Sequence, residues 1–145
     1  MNSTIVSSWQ FWAVLSAVFA ALTAIFAKVG VADISSDLAT FIRTLVIIAV
    51  LALILAATGQ FRAPGEIPGK TYLFLVLSGL ATGASWLCYF RALKIGEASK
   101  VAPIDKLSVV LVAIFGAVVL GEKLSAVNWL GVALVAAGAI LVALR

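Results

Sequence analysis

Apolar positions run along the chain in five blocks, separated by short polar or charged breaks. The first block is charge-free from Trp9 to Ala27 and closes at Lys28. The second is charge-free from Thr44 to Phe61; its helix is expected to start near Leu38, with Ser35 or Ser36 as N-cap and Arg43 just inside. The third runs from Thr71 to Phe90, and the fifth from Leu124 to Leu144, closed by Arg145. A helix crossing a hydrocarbon core needs roughly 20 residues at 1.5 Å each, and these four blocks supply them. The fourth block, Leu107 to Gly121, has 15 charge-free residues, or about 22 Å of helix, which is short of a core about 30 Å thick. Its helix is expected to begin near Ala102, with Pro103 in the first turn. That start draws Asp105 and Lys106 to the membrane edge or inside it.

The pattern predicts an all-α integral membrane protein with one transmembrane domain over residues 1–145. Its five helices are expected at about 9–29, 38–60, 71–93, 102–121 and 125–144. The connections are short, the second being marked by Pro64, Gly65, Pro68 and Gly69, and nothing is left over for a soluble domain. The first apolar run is too long for a signal-peptide core and reads as a retained span.

Composition narrows the function. Hydrophobic residues make up 64% of the chain, charged residues 11%, and mean hydropathy is +1.22; soluble domains carry about 25% charged residues. An isolated soluble enzyme and a disordered chain are both excluded. There is no histidine, and Cys88 is the single cysteine. A histidine-based triad, a His–metal site and an intrachain disulfide are therefore impossible. No phosphate loop or nucleophile–base pair is present, so neither an enzyme nor a cofactor is expected. The net charge is +4, yet no two basic residues are adjacent, which suits scattered membrane anchors rather than a nucleic-acid patch.

Five crossings place the termini on opposite sides. Arg62, Lys70 and Lys123 fall on the N-terminal side; Lys28, Arg43, Arg91, Lys94, Lys100, Lys106 and Arg145 fall on the other. The positive-inside rule makes the second side cytoplasmic. Counting Arg43 and Lys106 as intramembrane narrows the margin to five against three, which leaves dual insertion open.

Each candidate for chemistry has a plainer alternative. Arg43 either snorkels to the headgroups or faces an aqueous cavity, where it binds an anionic group or pairs with Asp105. Asp105 and Lys106 form either a local pair at a helix start, where the helix dipole favours the acid, or a gate with a titrating carboxylate. Ser78, Thr82, Ser85 and Tyr89 share one face of the third helix, beside Trp86. Trp12, Ser16, Phe19, Thr23 and Phe26 recur at similar spacing on the first. Such faces line a substrate pathway or pack helix against helix, and spacing alone does not choose. Gly79–x–x–x–Gly83 and the alanine ladders 13/17/21 and 133/137 permit close helix approach. Trp9, Trp12, Tyr72 and Trp129 lie near span ends, as interfacial anchors do.

The stretch YFRALKIGEASKVAPIDKLSVVLVAIFGAVVLGEKLSAVNWLGVALVAAGAILVAL, from Tyr89 to Leu144, resembles the second half of an EamA domain of the drug/metabolite transporter superfamily. The resemblance rests on the aromatic-x-Arg-Ala-Leu end of helix three, the proline at the opening of helix four, the Leu-Gly-Glu at its close, and the Gly-containing last helix. Ala-Lys-Val-Gly at Lys28 and Ile-Arg-Thr-Leu at Arg43 match the first half. Most members of that family carry two five-helix units in inverted orientation. The resemblance thus implies one EamA-like repeat unit: a half-size transporter of small metabolites in a bacterial inner membrane, working by alternating access as a homodimer or with a related five-helix chain. Two alternatives stand. One is proton-coupled drug efflux of the small multidrug resistance type, although helix one lacks the acid that type requires. The other is a non-transporting membrane subunit that pairs with another half-transporter.

Overall fold

The computed structural model describes residues 8–61 and 67–144. Arg62, Pro64, Gly65 and Arg145, which enter the loop and sidedness arguments, lie outside them. The described residues contain six helices and no strand: α1 (Trp9–Gly30), α2 (Ser36–Thr58), α3 (Gly69–Ile95), α4 (Ala98–Asp105), α5 (Ser108–Val119) and α6 (Ala126–Ala143). The stretch from Ala98 to Val119 counts as one span, so five segments are long and apolar enough to cross a membrane. The all-α, five-span architecture is therefore as expected. The chain divides into two compact units, residues 27–94 and the residues flanking them.

In the unit of residues 27–94, local chemistry sets the helix ends. The Ser35 hydroxyl accepts from the Leu38 N–H at 3.3 Å, so Ser35 is the N-cap and α2 opens at Ser36. At its far end Gly59 adopts φ +64°, the left-handed conformation that glycine enters without steric cost. There Gln60 N–H bonds to Leu55 O at 3.0 Å and Gly59 N–H to Ala56 O at 3.3 Å, a Schellman closure. The hydroxyls of Thr40 and Thr44 each donate to the carbonyl four residues earlier, at 2.8 Å, which satisfies polar groups without water. Val31 and Leu93 are the largest fully buried side chains.

In the other unit, the fourth span departs from expectation. It begins at Ala98, not near Ala102, and Pro103 lies inside α4 rather than in its first turn. Glu97 is extended, with φ −76° and ψ 135°, and its carbonyl receives Lys100 and Val101 N–H, which nucleates the helix early. A proline removes one bond to the preceding turn but does not prevent residues before it from being helical. The ladder then breaks just after it. Leu107 N–H bonds to Ile104 O, Val109 N–H to Lys106 O and Val110 N–H to Leu107 O, each at 3.0 Å and three residues back. Such 3₁₀ bonds mark a tightened joint. The 22 residues from Ala98 to Val119 make about 33 Å of helix, enough for a full crossing. Both α4 and α5 pack on α6. Gly116 O closes α5 by accepting Leu120 N–H at 3.2 Å and Glu122 N–H at 3.0 Å around Gly121, whose φ is +71°.

Candidate functional site

Polar groups gather where the end of α1, the start of α2 and the end of α3 meet, all within residues 27–94. The Lys28 ammonium donates to Leu93 O at 2.7 Å. Lys94 donates to Ile34 O. Arg91 Nη2 donates to both oxygens of Asp37, at 3.1 and 3.3 Å. The side chains of that pair are 67% and 59% exposed, so it contributes at most about 1 kcal/mol. Its use is to hold α2 and α3 in antiparallel register.

Deeper in the same unit lies Arg43, seven residues into α2, or about two helical turns. Its guanidinium carbon sits 4.0 Å from the centroid of Trp86 and 5.6 Å from that of Phe90. Phe90 is one turn nearer than Trp86 to the Asp37–Arg91 end of α3. The guanidinium is thus closer to the deeper ring, whereas a snorkelling arginine would turn outwards. Tyr89 also interacts electrostatically with Arg43. An arginine at a span centre costs about 2.5–3.5 kcal/mol on insertion scales, and a cation–π contact returns about 0.5–2 kcal/mol. Stacking also uses the guanidinium's face rather than its five N–H donors. Among the described residues none of those donors has an oxygen acceptor within hydrogen-bond distance.

The expected site residues fall into separate groups. Arg43, Trp86 and Tyr89 come together as described, all half-buried. Thr82 donates to Ser78 O at 2.8 Å, so its proton serves the helix, and Ser85 is exposed. In the other unit Ser16 and Phe19 are exposed and Thr23 is half-buried. Asp105 and Lys106 pair locally, Nζ to Oδ2 at 3.0 Å. The expected position of Asp105 at a helix start is corrected, however: it is the last residue of α4, and Leu107, without a side-chain bond, precedes α5. The early start of the helix at Ala98 moves the acid from first turn to joint. Phe90 and Asp37 were not singled out from sequence. The signal for Asp37 was its place as the only acid in the first turn of α2.

Five apolar spans, with the Arg43 guanidinium of one stacked on the Trp86 ring of another, define a multi-pass membrane protein. Residues 7–144 match the EamA-like transporter family, and the chain belongs to that family. It is 72% identical over 136 residues, 94% of this chain and 96% of the other, to a Sinorhizobium protein described as an uncharacterized transporter in the cobO 3′ region. No solved structure matches. The chain is a membrane transporter, not an enzyme.

Proposed function

We propose that the chain is a five-span half-transporter that moves small metabolites across a bacterial inner membrane as a dimer. Its two copies alternate access to a site near the midplane. The supporting observation is exposure. Of the most apolar 18 residues in each span, only 6–11% are buried, which leaves much apolar surface for lipid or a second chain. A Cβ added at Gly79 or Gly83 would meet nothing within 4 Å, which leaves α3 open to close approach by another helix. A second copy is the proposed partner, antiparallel if the chain inserts both ways. The pathway is assigned to Ser16, Phe19 and Thr23 on α1, Arg43 on α2, Thr82, Ser85, Trp86 and Tyr89 on α3, and Asp105 and Lys106 at the α4–α5 joint. The charge bias puts Met1 outside and Arg145 in the cytoplasm.

The test joins binding to flux. A metabolite panel is screened by thermal shift on the purified chain, since a ligand stabilises by mass action. A solute that stabilises the chain is then expected to cross proteoliposomes containing this chain alone. Crosslinking in native membranes is expected to trap a dimer. Monomer only, with no flux, overturns the reading. Reporters at both termini test sidedness: a C-terminal reporter active only in the periplasm reverses it, and activity on both sides establishes dual insertion.

A further inference from the structure

We infer that Arg43, stacked on Trp86, is the contact for an oxyanion group, a carboxylate or phosphate, on the solute that this chain transports. The inference rests on the transporter reading above and assigns the substrate class. It begins with a contrast between Arg43 and the three cations at the polar end of its unit. Lys28, Arg91 and Lys94 each reach an oxygen: the Leu93 carbonyl, the Asp37 carboxylate and the Ile34 carbonyl. Those three occupy the polar end of the unit. Arg43 lies about a turn and a half further along α2 than Asp37 and, among the described residues, has rings instead of an acceptor, Trp86 at 4.0 Å and Phe90 at 5.6 Å.

The geometry suits recognition. A guanidinium laid on an aromatic face keeps its in-plane N–H fork directed away from the ring, and that fork matches the two oxygens of a carboxylate or phosphate. The stack also fixes the fork before a ligand arrives, which lowers the ordering cost of binding. The hydroxyls of Thr40 and Thr44, on either side of Arg43 along α2, do not serve the anion, since each donates to its own helix. The aromatic surroundings favour an anion carried on an apolar or ring-bearing body over a small, strongly hydrated one.

The test reads Trp86 fluorescence in the full chain carrying Trp9→Phe, Trp12→Phe and Trp129→Phe, which leaves Trp86 as its only tryptophan. The probes are benzoate, its neutral counterpart benzamide, and inorganic phosphate. In maltoside micelles, which contain no phosphate, benzoate is expected to change the emission saturably and more tightly than phosphate, while benzamide has no effect. Arg43→Gln is expected to abolish the response. Arg43→Lys, which keeps the charge and loses the fork, is expected to weaken it at least tenfold and shows that loss is not misfolding. In phosphatidylglycerol nanodiscs the benzoate response is expected to persist. An equal response to benzamide, an unchanged response in Arg43→Gln, or no response to either anion overturns the inference. Loss of the benzoate response only in phosphatidylglycerol gives Arg43 to a lipid headgroup and overturns it as well. The assay requires no flux, so a chain that carries neutral solutes fails here while still passing the transport test.

Discussion

The Lys28 ammonium donates to the main-chain carbonyl of Leu93, 2.7 Å away and 65 positions along the chain. Leu93 lies within the last four residues of α3, whose carbonyls have no partner inside their own helix. Its side chain is fully buried, so water has poor access to that oxygen, and a buried carbonyl left unpaired is costly. Lys28→Met keeps the length and apolar stem but removes the donor. It is expected to destabilise the chain by about 1–3 kcal/mol, with Lys28→Arg recovering part of the loss. Thermal unfolding followed by circular dichroism in micelles measures both. An unchanged midpoint for Lys28→Met would mean that solvent serves the carbonyl.

Leu93 itself supports a second expectation. With no exposed surface, truncation to alanine leaves a cavity and is expected to cost about 2–5 kcal/mol. Leu53 on α2 is 70% exposed, and Leu53→Ala is expected to cost less than about 1 kcal/mol, as surface substitutions do. The same unfolding assay compares them. Equal losses would place Leu53 under a protein surface rather than lipid.

The sequence was most readable where one physical rule dominated. Span length and the scarcity of charge predict five crossings, and a hydroxyl just before an apolar run predicts a cap at Ser35 or Ser36, of which Ser35 makes the bond. The start of the fourth span is not legible in the sequence, because a proline such as Pro103 most often occupies the first turn of a helix. An early start at Ala98 followed by a tightened joint satisfies the backbone equally well. Arg43 and Trp86 each stand out in the sequence, but on separate helices 43 residues apart. Their contact depends on the antiparallel register that Asp37 and Arg91 help set, and spacing within one helix carries no such information.

Two glycines at the close of the fourth span should respond differently. Gly121 has φ +71°, a conformation costing an L-residue about 1–2 kcal/mol, so Gly121→Ala is expected to lose that much although its Cβ meets nothing. Gly116 is helical, and an added Cβ would lie 2.6 Å from Glu122 Oε2. That carboxylate is the free end of a flexible side chain on an exposed residue and can swing away. Gly116→Ala is therefore expected to cost less than Gly121→Ala, helped by alanine's higher helix propensity, about 0.5–1 kcal/mol. Denaturant midpoints of the two variants order them, and the reverse order would mean that Glu122 is held in place.

Asp105 stands at the joint between α4 and α5, and two features limit what it does. Its carboxylate pairs with the neighbouring Lys106 at 3.0 Å. It also caps no helix, since Leu107 occupies the N-cap position of α5 without a side-chain bond. An ion pair with side chains 54% and 34% exposed is worth at most about 1 kcal/mol. Asparagine keeps the size and an oxygen for the Lys106 ammonium. Asp105→Asn is therefore expected to remain folded, to lose no more than about 1 kcal/mol, and to retain solute flux in proteoliposomes under an imposed pH gradient. Lys106→Gln is expected to lose a similar amount, and the double variant little more than either single one, because both remove the same pair. The decisive measurement is gradient-driven flux of the solute found by thermal shift, taken beside an unfolding curve for the same preparation. If Asp105→Asn keeps its unfolding midpoint but stops responding to the gradient, the carboxylate is a proton-coupling group, and its bond to Lys106 is then one state of a transport cycle rather than a fixed feature of the joint.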